Sequence, residues 1–237
     1  MRAQSHVVGV ALMLGLAVIA LGSLTAGIGM LVDTQVSNAD ADRVADDLET
    51  ALKGVERTGT HSHPVRFTEG ELATSERTLR VLESGTVVER HGIGAVRFEG
   101  GDEHVTFVAG AVVRGTGENA WLTTDPPITS SRRNSVLIVG VPVVGGEHTT
   151  VAGQGGIRAT LQTDVEHVAS ELGVGEYSVA IETATPGAFE RYFERLGAET
   201  ERRTFGDDQF GSVVARFPGE RDGYLVRHEL NLEIQHG

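Results

Sequence analysis

The chain has 237 residues, a formal net charge of -13 and no cysteine. That length suffices for one or two small domains with a real hydrophobic core. The missing thiols exclude a disulfide framework, a thiolate metal site and a cysteine nucleophile. The acidic balance argues against nucleic acid as a partner.

The charges are uneven in type. Lys53 is the single lysine among 20 Lys+Arg, whereas 33 acids are spread along the chain. Spread carboxylates with almost no lysine keep a surface hydrated when salt screening is strong. This composition fits a halophilic archaeal protein, with an acidic protein from a GC-rich genome as the plainer alternative.

The N-terminus holds the strongest signal. Residues 7–32 carry no charge. As a helix this run would extend roughly 39 Å, against a bilayer core of about 30 Å. Arg2 lies before it, and Asp33, Asp40, Asp42, Asp46 and Asp47 follow. The positive-inside rule then places the N-terminus in the cytoplasm and the rest outside. A cleaved secretory signal competes, with Ala20-Leu21-Gly22 as a cutting site. Against it, apolar character resumes at Leu24 and continues to Val32. Ala11, Gly15, Gly22, Ala26 and Gly29 fall along one helical face, which lets helix backbones approach closely. Gly and Ala are also common in any apolar helix. No proline interrupts residues 33–56, and Val36, Val44, Leu48, Leu52 and Val55 form a drifting apolar stripe. The spacing predicts one rod over residues 5–55, roughly 75 Å long.

The short Arg-Ala leader, then Gln4-Ser5-His6-Val7-Val8-Gly9-Val10 and the apolar run, resembles the N-terminus of archaeal type IV pilins, most closely the uncharacterised pilin-like families of haloarchaea. The resemblance covers residues 2–32. It implies cutting between Ala3 and Gln4 by a prepilin peptidase, retention of the apolar helix, and later packing of that helix in a filament. The sequence departs from the pattern at His6, where many archaeal pilins have proline, and in its very short leader. An unprocessed anchor therefore stays open beside a processed subunit.

Past Gly59 the period changes. Val65-Arg66-Phe67, Val96-Arg97-Phe98 and Val105-Thr106-Phe107 alternate as half-buried strands do. The related stretches "VRFTEG", "VRFEGG" and "ARFPGE" read as convergent hairpin chemistry with turns at "EGG" and "PGE", with a faint internal repeat as the alternative. Residues 135–144 read as a strand buried on both faces, with Pro142 near its end. Asp164 is placed to cap a short helix carrying Val165, Val168 and Leu172, closed by Gly173. Thr185-Pro186 opens a clearer helix with Phe189, Tyr192, Phe193 and Leu196 on one face and Gly197 at its stop. Tyr177, Val179 and Ile181 line one face of a strand. Tyr224, Val226, His228, Leu230, Leu232 and Ile234 line one face of a long final strand.

Catalytic patterns are scarce. The chain has no Gly-x-Ser-x-Gly and no phosphate-binding Gly-x4-Gly-Lys-Ser/Thr. "GTGENA" approaches a dinucleotide fingerprint but joins two strand-like segments, so it reads as a turn. His61 and His63 in "HSHP" share one side of an extended segment, an acceptable metal half-site that lacks further assigned ligands. Asp207-Asp208 and Glu220 carry no weight in so acidic a chain.

The expected fold class is α+β: a long N-terminal transmembrane and amphipathic helix, then a mostly antiparallel β-rich head with one or two short helices. The expected parts are a leader at 1–3, the helix at 4–57 and an extracytoplasmic head at 58–237, with two subdomains meeting near 145–156. The expected function is a non-catalytic, pilin-like cell-surface subunit, membrane-anchored by a single span and assembling through its apolar helix. The alternative is a single-span surface protein whose head binds a ligand or envelope partner. Site residues are Ala3 and Gln4 for processing and Ala11, Gly15, Gly22, Ala26 and Gly29 for helix packing. No catalytic residue, metal or cofactor is assigned. The partners are membrane lipid, prepilin peptidase and other pilin-like subunits.

Overall fold

The computed structural model describes residues 3–52, 58–131, 133, 135–146, 148–206 and 208–236, with side chains at 3–12, 25–33 and 236 outside the description. Met1, Arg2, Val55 and Asp207 lie outside the described residues. Helix α1 runs over Ala3–Leu52. Fifteen strands follow among the described residues, with one second helix, α2 (Pro186–Arg195), and a 3-10 turn at Gly117–Asn119.

The structure corrects the expected fold class. The protein is mostly β, with 57% of the fully described residues in strands. No helix among the described residues is long and apolar enough to cross a membrane. Within the apolar run the fully described stretch is residues 13–24.

Two sheets build the body. The larger has the order β7-β6-β5-β4-β1-β10-β14-β9-β8, with β15 also paired to β10. Its axis is the long antiparallel pair β1 (Gly59–Ser75) and β10 (Thr150–Gly175). On one side of that axis lie β4 (Ala95–Gly100), β5 (Glu103–Val108), β6 (Ala111–Arg114) and β7 (Trp121–Thr124). On the other lie β14 (Arg221–Glu229), β9 (Val136–Val143) and β8 (Ile128–Ser131), with β15 (Glu233–His236) beside β10. The smaller sheet has the order β12-β13-β11-β2-β3: Glu199–Arg203, Ser212–Arg216, Tyr177–Glu182, Thr78–Glu83 and Thr86–Gly92. Pairing is antiparallel throughout except between β14 and β9.

The apolar pattern sorts into two main cores. One contains α2 residues Phe189, Tyr192 and Phe193 together with Tyr177, Val179, Ile181 and Phe217. Phe193 and Phe217 meet edge to face at 6.3 Å. The other joins the second half of α1 to the large sheet and takes in Val65, Phe67, Val96, Phe98, Val105 and Phe107. The three similar Val-x-Phe segments thus share one core, with Phe67 and Phe98 ring centroids 5.1 Å apart. The "EGG" turn does join a hairpin, β4 to β5. The "PGE" segment instead carries the chain from the small sheet to the large one, since β13 and β14 have different partners.

Two local readings change as well. Asp164 to Leu172 is not a helix but part of β10, because this stretch pairs with β14 on one side while Gly59 and Thr60 of β1 reach its start on the other. Asp164 and Val165 take their ladder partners from β1 and Glu166 to Glu171 take theirs from β14, so the backbone is paired without a helix. The final strand is broken at Asn231, where φ is +43°. Asparagine tolerates that left-handed turn better than most residues. Leu230 and Leu232 stay buried on both sides of the break.

Tyr192 shows how α2 is fixed. Its hydroxyl lies 2.5 Å from the Ile128 carbonyl and 3.1 Å from that of Pro126. Burial pushes its pKa up to about 12. Tyr192→Phe keeps the ring but leaves those buried acceptors without the donor. The expected loss is about 1–2 kcal/mol in urea unfolding followed by circular dichroism.

Candidate functional site

Helix α1 has two halves with opposite surroundings. In the second half Ala41, Val44, Ala45, Leu48, Ala51 and Leu52 recur at helical spacing and are all buried. They pack on β1, β4, β5, β6 and β10. Val36, expected on the same stripe, remains 38% exposed. Three aspartates on this half grip the head. Asp40 is buried and accepts the Thr68 backbone N–H at 2.6 Å and the Thr68 hydroxyl at 3.2 Å. Arg114, on β6, donates to Asp42 and to Glu103, the latter at 3.0 Å. Asp47 accepts the Arg66 N–H at 3.3 Å and lies 3.1 Å from His63 Nε2.

Residues 13–24 of the helix are exposed. Met13, Leu14, Leu16, Val18, Ile19, Leu21 and Leu24 are each 60–77% exposed. A Cβ built on Gly15 or Gly22 would meet nothing within 4 Å. Both glycines therefore face open space in the single chain. The side chains of Ala3, Gln4, Ala11, Ala26 and Gly29 lie outside the described residues.

The structure does not gather the histidines that sequence spacing suggested. His61 and His63 sit on β1 opposite Thr163 and Leu161. His91, His104 and His148 lie against Glu89, Glu99 and Glu76, at 3.4, 3.4 and 3.5 Å. Among the described residues no group of three or more metal-ligating side chains forms. "GTGENA" is the turn between β6 and β7, with Gly115 and Gly117 at positive φ.

Two clusters had no local signal in the sequence. His167 and His228, far apart in the chain, face each other across β10 and β14 with Nδ1 atoms 2.7 Å apart. Burial, and then the neighbouring His167, hold the pKa of His228 down to about 4, so it is neutral at pH 7. The second cluster lies under the loop after β12. Arg80 binds Asp208 at 2.6 Å with both side chains almost fully buried. Buried Glu182 accepts backbone N–H groups from Thr78, Gln209 and Phe210. Phe205 stacks on Arg80 and Phe210 on Arg77. A groove of about 650 Å³ runs near this network and is lined by Leu82, Ser178, Glu201, Arg203, Val214 and Phe217 among others.

The chain matches the family of unknown function DUF7289 over residues 2–233. It belongs to that family. The match takes in the apolar run as well as the β body. Neither curated proteins nor solved structures yield a match.

Proposed function

We propose that this DUF7289 protein is a non-catalytic, pilin-like cell-surface subunit that assembles through its N-terminal apolar helix. The observation that carries the reading is the exposed apolar side of α1 between residues 13 and 24, on a helix whose other half is fixed in the head. An exposed apolar surface of this kind calls for a cover. Burying its seven large side chains would contribute on the order of 10–20 kcal/mol before ordering costs are subtracted. Neighbouring copies of the same helix supply a cover of matching chemistry, and Gly15 and Gly22 permit close approach. Processing between Ala3 and Gln4, a surface location and a halophilic archaeal source belong to the same proposal.

The test exploits the open space around both glycines. An added Cβ at Gly15 or Gly22 meets nothing within 4 Å, so Gly15→Leu with Gly22→Leu should leave the fold unchanged. Recovery in sheared extracellular filaments is expected to fall at least tenfold, equivalent to about 1.4 kcal/mol of weakened helix packing. Recovery equal to wild type would overturn assembly through this face. The N-terminal peptide of the recovered material, read by mass spectrometry, should begin at Gln4.

The groove on the small sheet favours a second reading, a surface protein whose head binds a ligand or envelope partner. That reading predicts full surface display of the double-leucine chain and no filament in either form.

A further inference from the structure

Three connections meet where the two sheets join. Residues 76–77 carry the chain from β1 to β2, residues 93–94 return it from β3 to β4, and residues 144–149 lead from β9 to β10. The Arg77 carbonyl accepts the N–H groups of Ile93 at 2.8 Å and Gly94 at 3.3 Å, and the Ile93 carbonyl accepts that of Val144 at 2.8 Å. These bonds hold the three segments around a recess of about 290 Å³. Arg77, Arg90 and His148 bring basic groups to it. Glu76 also lines it, but its side chain is 78% exposed and lies 3.5 Å from His148.

Arg77 is 7% exposed, and its guanidinium lies 4.4 Å from the centre of the Phe210 ring. Nη1 donates to the Glu76 carbonyl, and among the described residues no carboxylate forms an ion pair with Arg77. Glu182 acts on it only from a distance, since its carboxylate accepts the N–H groups of Thr78, Gln209 and Phe210. Burial lowers the Arg77 pKa, against the pull of Glu182 and with the push of Arg97. A buried charge is ordinarily paired, so this position calls for an anion from outside the chain. The guanidinium fork offers parallel N–H groups to two oxygens of one anion. The Ser75 hydroxyl lines the same recess, buried and without a partner, and Arg90 and His148 reach it from exposed positions. Donors arriving from several directions suit a tetrahedral oxyanion better than a flat carboxylate. The volume stands at the small end of ligand pockets, roughly 300–1,000 Å³. We propose that Arg77 anchors a site for one phosphate or sulfate group in the recess between the sheets, with Arg90 and His148 at its mouth. The site does not depend on how the chain assembles.

The experiment is calorimetry on the full chain in detergent at constant sodium chloride, with inorganic phosphate, inorganic sulfate and glucose 6-phosphate as separate probes. The expected result is one equivalent of at least one probe. Tighter binding of the ester points to a group carried on a larger molecule, and tighter binding of an inorganic ion to the free anion. Arg77→Met keeps an apolar stem under Phe210 and should weaken the affinity by about tenfold or more. Arg90→Ala with His148→Ala changes two exposed positions and should weaken it while melting like wild type. Arg195→Ala removes an exposed cation on α2 and should bind like wild type. Absence of heat from all three probes at millimolar concentration would overturn the site. So would equal affinity in wild type and Arg77→Met or, should that variant not fold, in wild type and the double variant.

Discussion

Asp208→Ala is expected to destabilise the fold by about 3–5 kcal/mol, the cost of breaking a buried ion pair from one side. The Arg80 and Asp208 side chains are 2% and 0% exposed. Asp208 also accepts the Ser212 hydroxyl at 2.8 Å and the Phe205 N–H at 3.4 Å, so the carboxylate holds the loop as well as the cation. Without it the guanidinium stays under Phe205 and this buried carboxylate no longer offsets its charge. Urea unfolding at constant high salt measures the loss, and a change below about 1 kcal/mol would contradict the buried pair. The double change Arg80→Met with Asp208→Leu should be milder than Asp208→Ala alone, because both charges leave together.

Leu48→Ala is the second large expectation, at about 2–5 kcal/mol. Leu48 is fully buried in the core that joins α1 to the large sheet, among Val44, Leu52, Phe67 and Leu72. Truncation removes favourable transfer and leaves a cavity between a helix and a paired sheet, neither of which can easily move in. The same unfolding experiment reads it. A loss no larger than that of an exposed substitution would mean that the helix is not part of the core. For the same reason a head lacking residues 1–52 is expected to aggregate on expression rather than fold.

The parts legible in the sequence are those whose signal is local. Helix α2 begins at Pro186 after Thr185, carries its aromatic face at helical spacing and stops before Gly197, whose φ is +77°. Each of those marks is a property of a few adjacent residues. The strand over 136–143 is legible for the same reason. Residues 164–172 are not, because Val165, Val168 and Leu172 suit a helix equally well and the decision belongs to two strands elsewhere in the chain. The His167–His228 pair depends on register between distant strands, and no spacing rule reaches that far. Asp208 is hidden by the abundance of acids, and nothing local to Phe205 and Phe210 reveals the arginines they stack on, Arg80 and Arg77. The expected fold class fails at the N-terminus, where it rests on hydropathy alone to fix the setting of the helix.

Helix α1 is at once interior to the head and projecting from it. A pull on the projecting half therefore reaches not a hinge loop but a row of side chains set against five strands. Tension along the helix axis would load these contacts in shear, together with the Asp40–Thr68 bonds, so that many must yield at once.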